Sequence, residues 1–194
     1  MLLVSDEWPG AILYRLVSAR PGPSDRDAVL GERTITSTTD HKLEVLTWET
    51  FGAASRQLAV NVAASGYHPD LILAIARGGL PIGGALGYAL GVKNCATINV
   101  EFYTGVGERM EVPVVLPPTP PLVDLAGLKV LVADDVADSG TTLALIRDLV
   151  RPHVAELRTA VLYKKPWSVV DPDYFWAGTD GWIAFPWSSE PPVV

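Results

Sequence analysis

The chain carries a single cysteine, Cys95, in 194 residues, so no internal disulfide framework can hold it together and its fold must rest on a packed core. It has no block of Lys and Arg: 15 basic residues stand against 22 acidic ones, a formal charge of -7. That balance argues against nucleic acid as the main partner. The opening "MLLVSDEWPG" lacks the basic start and apolar run of a signal peptide, which together with the lone cysteine points to a reducing, cytoplasmic setting. An uninterrupted apolar run is missing as well. The most apolar stretch, residues 71–92, contains Arg77, Pro81 and six glycines, which reads as strand, loop and buried helix rather than a membrane span. His41, His68 and His153 show no metal-ligand spacing, and there is no GxGxxG fingerprint for a dinucleotide.

What is present fits one α/β domain, long enough to bury a sizeable core. Residues 1–40 are the least legible part and read as an N-terminal extension without an assigned role, with a short strand near residues 11–19 followed by a loop. From Leu46 the pattern sharpens. "TWETFGAASRQLAVNVAASG" puts Phe51, Leu58 and Val62 on one helical face, with Thr47 as N-cap, Glu49 in the first turn and Gly66 as the stop. "DLILAIA" is an apolar run suited to a strand covered on both faces, and the glycine-rich helix after it has the small residues that permit close approach to a sheet. "NCATINVEF" reads as the next strand. The Gly- and Pro-rich segment from Tyr103 to Leu122 predicts a long exposed loop or a two-stranded flap. Further strands are expected at residues 129–133 and 157–165, separated by a helix that Pro152 helps to stop.

Strand, helix, strand, helix, strand in this order implies a mostly parallel sheet with right-handed crossovers, and ligands bind such sheets at the carboxyl ends of the strands. Three expected strand ends carry polar residues: Arg77, then Asp134 with Asp135, then Lys164 with Lys165. Adjacent acids alone would be a solvated strand end, and Arg77 with Gly78 and Gly79 could be no more than a tight turn. The register of "VLVADDVADSGTT", residues 130–142, favours a ligand instead. Ser139, Gly140, Thr141 and Thr142 sit between a strand and a helix N-terminus, where free amides and the helix dipole suit a phosphate. Two carboxylates just before that cup can accept hydrogen bonds from a sugar diol and face a magnesium shell.

Those residues resemble the phosphoribosyl-pyrophosphate motif of type I phosphoribosyltransferases: an apolar strand, two acids, two spacers, then Asp, Ser or Thr, Gly and Thr. "ARGGLP" resembles the pyrophosphate loop of that family. "LYKKP" and "PDYFWAGTDGWIAFPW" resemble the base-binding strand and the C-terminal hood of its 6-oxopurine branch. The resemblance covers about residues 45–188. It implies an α/β fold with a mostly parallel twisted sheet flanked by helices, a flexible loop and a small hood, spanning residues 41–194 with the hood at 166–190.

Carried onto this chain, the resemblance assigns Asp134 and Asp135 to the ribose hydroxyls and magnesium. Asp138, Ser139, Gly140, Thr141 and Thr142 go to the 5-phosphate. Asp138 is also the general base or acid at purine N7. Arg77, Gly78 and Gly79 hold pyrophosphate, with a cis peptide between Ala76 and Arg77. Lys165 contacts O6, with Lys164 the alternative if the register slips; Trp182 stacks on the purine and the Ile183 backbone reads its edge. Arg109 and Tyr103 are candidates to touch pyrophosphate from the flap. The implied reaction moves 5-phosphoribosyl from its pyrophosphate to guanine, xanthine or hypoxanthine, with Mg2+ as cofactor, in a homodimer or homotetramer. Lysine is a donor and suits an O6 acceptor better than the amino group of adenine. One departure stands out. Where that branch often has an acid after the hood aromatics, this chain has Ser188 and Ser189, with Glu190 further on, so a metal ligand does not carry over there. Two other readings stay open: a non-catalytic sensor of phosphoribosyl pyrophosphate, and a transferase for a pyrimidine or a specialised base.

Overall fold

The structure, a computed structural model, describes residues 43–104, 111–116 and 120–193. In chain order the elements are β1 (Leu43–Val45), α1 (Trp48–Ala64), β2 (Leu71–Ala76), α2 (Gly79–Leu90), β3 (Cys95–Thr104) and β4 (Glu111–Leu116). They continue with β5 (Lys129–Ala137), α3 (Thr141–Val150), β6 (Glu156–Lys164), β7 (Tyr174–Gly178) and β8 (Trp182–Ala184). Six strands form one sheet in the order β4-β3-β2-β5-β6-β7, parallel throughout except for the β3–β4 pair. β1 and β8 make a separate parallel pair. The fold is the α/β type expected from the order of apolar runs.

Burial on both faces explains the composition of the central strands. Along β2, Leu71, Leu73 and Ile75 join the core on the α3 side while Ile72 points to the α1 and α2 side; Val130 and Val132 alternate with Leu131 in the same way along β5. Each such aliphatic side chain contributes about 1.5–3 kcal/mol by leaving water. Thr47 caps α1 as its sequence suggests, accepting the Thr50 amide at 3.1 Å, and Leu58 and Val62 are buried beneath it. A Cβ on Gly83 would lie 2.8 Å from the Ala74 Cβ, so α2 rests on the sheet at a distance that a side chain there would forbid. At the far end from the site, Ser65 Oγ meets the Tyr174 hydroxyl at 2.6 Å, and Arg158 lies 4.6 Å over the Tyr67 ring. These contacts tie the end of α1 to β6 and β7.

Two expectations change in detail. β5 does not stop before its acids but continues to Ala137, because β6 runs on beside it, with Asp134 opposite Val161, Val136 opposite Tyr163 and Ala137 opposite Lys164. The acidic segment thereby finds backbone partners that a loop would lack. The segment after residue 102 is the two-stranded alternative: β3 and β4 pair from Asn99 with Leu116 to Thr104 with Glu111. Arg109 and residues 1–40, including the candidate strand near 11–19, lie outside the described residues. Tyr103 lies in β3. Among the described residues, no helix is long and apolar enough to cross a membrane.

Behind the carboxyl end of β6, the C-terminal segment gathers aromatic rings. Phe185 and Trp187 stack at 4.9 Å between centroids, and Phe51 meets Trp187 edge-on at 5.3 Å. Tyr163 of β6 packs edge-on against both Trp176 and Phe185. Leu46 donates its amide to the Ala184 carbonyl at 3.0 Å. Phe185 and Trp187 are thus packed by their rings against Tyr163 of β6 and Phe51 of α1.

Candidate active site

The carboxyl ends of β2, β5 and β6 bring three groups of residues to one edge of the sheet. After β2 the Ala76–Arg77 peptide is cis, as the family resemblance implies, and α2 begins two residues later at Gly79. This turn lies directly against β5. A Cβ on Gly78 would sit 2.2 Å from Asp135 Oδ2, and one on Gly79 would sit 2.4 Å from the Ala133 carbonyl oxygen. Gly79 therefore requires glycine for space, and a side chain at Gly78 would displace the Asp135 carboxylate. Arg77 is exposed beside them, and the N-terminal amides of α2 open onto the same edge.

Asp134 and Asp135 are half-buried. Asp134 Oδ1 accepts the Asp135 amide at 2.9 Å. Burial, with the neighbouring Asp135 charge second, pushes the Asp134 carboxyl well above the usual carboxylate range. Burial likewise pushes Asp135 up from 3.8 to about 6, opposed in part by hydrogen bonds from the Val136 amide and the Trp187 side chain. A carboxyl with a raised folded pKa contributes stability that is fully present below about 3.8 and is lost as the pH rises through about 6. The unliganded protein is expected to lose about 2 kcal/mol between pH 4 and pH 7 from Asp135, read as a falling melting temperature. Asp135→Asn should flatten that slope, and an unchanged slope in the variant would remove the assignment.

The phosphate-type cup forms where β5 meets α3. Gly140 is buried with φ +79°, and Ser139 Oγ and Thr141 Oγ1 are 2.8 Å apart with both side chains exposed. Thr142 lies one position further along α3 and is half-buried. Asp138, exposed at the rim, accepts a hydrogen bond from the Trp167 indole N–H at 2.9 Å on Oδ1.

Base-side candidates meet through a different set of contacts. Lys165 is 6% exposed, and its ammonium donates to the Gly181 carbonyl, the residue before Trp182 and Ile183 of β8. Trp182 is 44% exposed and Ile183 is buried, so the exposed ring is free to take a stacking partner. Lys164 pairs with Asp171 and lies over the Phe175 ring. The two lysines thus hold different partners. A cavity of about 440 Å³ opens beside them, lined by Lys164, Lys165, Pro166, Phe175, Gly178, Thr179 and Asp180.

Trp167 is the residue that sequence reasoning missed. Its ring lies 5.4 Å from the Lys165 ammonium while its N–H holds Asp138, so it joins the loop after β5 to the loop after β6. An aromatic directly after "KKP" was the available signal.

Among the described residues, no three His, Cys, Asp or Glu side chains cluster as a self-sufficient metal cage. Asp134 and Asp135, both carboxylates raised in pKa by burial, fit a different arrangement. Magnesium is commonly held by one or two carboxylates with its remaining ligands from water and substrate phosphates.

A parallel α/β sheet that presents glycine turns, helix N-termini and carboxylates at one carboxyl edge is the layout of an enzyme that handles a phosphorylated ligand. The chain belongs to the phosphoribosyl transferase domain family, whose profile it matches over residues 41–192, and it is a phosphoribosyltransferase. It is 31% identical over 151 residues to the xanthine-guanine phosphoribosyltransferase of Gluconobacter oxydans, an alignment covering 77% of this chain and 86% of that protein. The crystal structure of a purine phosphoribosyltransferase from Pyrococcus horikoshii superposes with a TM-score of 0.68 at 38% identity, covering 78% of this chain and 97% of the other. A Helicobacter pylori xanthine-guanine-hypoxanthine phosphoribosyltransferase, at 22% identity, shares the fold with a TM-score of 0.64, covering 76% and 93% of the two chains.

Proposed function

We propose that the protein transfers 5-phosphoribosyl from phosphoribosyl pyrophosphate to a 6-oxopurine, releasing pyrophosphate and the nucleoside monophosphate in purine salvage. The observation that carries this reading is the continuous set of contacts from Asp138 through Trp167 and Lys165 to the residue preceding Trp182. A carboxylate, an ammonium and an exposed indole linked in this order support a purine acceptor, which would need a proton acceptor at N7, a donor at O6 and a stacking face.

In this mechanism Ser139, Gly140, Thr141 and Thr142 hold the 5-phosphate at the α3 N-terminus. Arg77, with the Gly78 and Gly79 amides, holds the pyrophosphate and stabilises its charge as the bond to C1 breaks. Asp134 and Asp135 accept the ribose hydroxyls and would hold Mg2+. Magnesium bound there with the substrate would supply countercharge for the diphosphate. Asp138 takes the proton from N7 as the new bond forms at a ring nitrogen with inversion at C1. Lys165 donates to O6, the Ile183 backbone reads the purine edge, and Trp182 covers its face. The segment from Tyr103 to Leu122 closes over the site to keep water from the oxocarbenium-like sugar. The domain spans residues 41–194, working in the cytoplasm as a homodimer or homotetramer, with residues 1–40 an extension.

The test is pyrophosphate release from phosphoribosyl pyrophosphate and Mg2+, with guanine, xanthine, hypoxanthine, adenine and uracil offered separately. Release with an oxopurine, and little with adenine or uracil, is the expected result. Release with uracil alone would replace the purine assignment. Silence with every base while phosphoribosyl pyrophosphate still binds would favour a sensor.

A further inference from the structure

The loop after β6 is laced to the phosphate loop by three successive hydrogen bonds. The Lys165 amide donates to the Ala137 carbonyl at 3.0 Å, the Trp167 indole N–H to Asp138 Oδ1 at 2.9 Å, and the Val169 amide to the Ser139 carbonyl at 2.9 Å. Residues 165, 167 and 169 thus alternate against 137, 138 and 139. The outer two rungs are backbone and would survive a change of side chain. The middle rung depends on an indole.

Trp167 is 53% exposed, so core packing does not account for it. A buried tryptophan is expected to find a partner for its N–H, but a half-exposed one has water available, and here it bonds a carboxylate instead. We infer that Trp167 is the positioning residue for Asp138. By occupying Oδ1 it leaves Oδ2 as the oxygen turned toward the purine, and it removes the near-free rotation a surface carboxylate would have about its terminal torsion. The same ring lies 5.4 Å from the Lys165 ammonium, a distance at which a cation is held over an aromatic face. N7 and O6 are neighbouring positions on one edge of guanine. One side chain therefore braces both groups that would address that edge. This inference rests on the transferase reading above and deepens it.

The experiment is a double-mutant cycle between Trp167→Phe and Asp138→Asn, scored by kcat and by KM for phosphoribosyl pyrophosphate. Phenylalanine keeps an aromatic face toward Lys165 and loses the donor. In the otherwise unchanged protein, Trp167→Phe is expected to lower kcat about tenfold with KM changed less than about twofold. In the Asp138→Asn background it should change kcat less than about twofold, since the group it acts through no longer exchanges a proton. An unchanged kcat in the single variant overturns the inference while leaving the transferase reading intact. So does a tenfold fall that persists in the Asp138→Asn background, which would mean a general disturbance of the loop. Absence of turnover with every base in the unaltered protein overturns the transferase reading, and the positioning role falls with it.

Discussion

Asp138→Asn is expected to lower kcat by about 10²- to 10⁴-fold while KM for phosphoribosyl pyrophosphate stays within a few-fold. The substitution is nearly isosteric, and the amide oxygen can still accept from the Trp167 indole, which lies 2.9 Å from Asp138 Oδ1. What the amide cannot do is take a proton. The cup beside it does not depend on Asp138, because Ser139 and Thr141 are held by their own hydrogen bond at 2.8 Å and Gly140 by its backbone turn. Ground-state binding of the phosphorylated sugar is therefore preserved while the proton-transfer step is lost. Single-turnover kinetics with calorimetry of phosphoribosyl pyrophosphate binding separates the two. If kcat fell less than about threefold, Asp138 would be a phosphate-loop residue and no more. If affinity fell as far as kcat, the carboxylate would be part of the sugar-phosphate site.

The contrast between what the sequence announced and what it hid follows from how each feature is encoded. Central strands were legible because burial on both faces demands near-continuous aliphatic runs, and "LILAIA" or "KVLVA" has few other uses. The strand-to-helix joint after β5 was legible because a glycine, two threonines and a serine there satisfy a local rule. The extent of β5 was not, since Asp134 and Asp135 look like loop residues until β6 runs past them to supply pairing. Tertiary context decided that end. Trp167 escaped for a related reason: its partner Asp138 is 29 positions away in the chain, and no periodicity links a tryptophan after a proline to an acid in another loop. Lys164 and Lys165 were ambiguous in sequence because neighbouring residues of a strand differ only in which face they meet. The structure separates them, with Lys164 paired to Asp171 and Lys165 turned to Gly181. The rings of Phe185 and Trp187 looked alike as core candidates; both enter the same aromatic cluster, but Trp187 also reaches Asp135.

Gly140→Ala should produce the second large effect, on stability and ligand affinity together. Gly140 has φ +79°, a backbone conformation that costs an L-residue about 1–2 kcal/mol. Space is the further obstacle. A Cβ there would meet Ser168 Oγ at 2.4 Å, the Val170 nitrogen at 3.0 Å and the Val169 nitrogen at 3.2 Å. The serine oxygen can rotate away, but the backbone nitrogens cannot, so the loop after β6 must move back from the cup. That movement stretches the Val169 amide to Ser139 carbonyl bond, now 2.9 Å. A total cost of about 3 kcal/mol would lower the melting temperature by about 6–12 °C in a chain of this size. Affinity for phosphoribosyl pyrophosphate should fall at least about tenfold, because the strain falls on the Gly140 turn, whose backbone shapes the cup the 5-phosphate would use. Adding Ser168→Ala tests the cause. Removing the Oγ relieves the shortest of the three contacts and should recover part of the loss, whereas the φ cost and the backbone contacts remain. If Gly140→Ala melted and bound as the unaltered chain does, the tight apposition of the two loops would not be what shapes the cup.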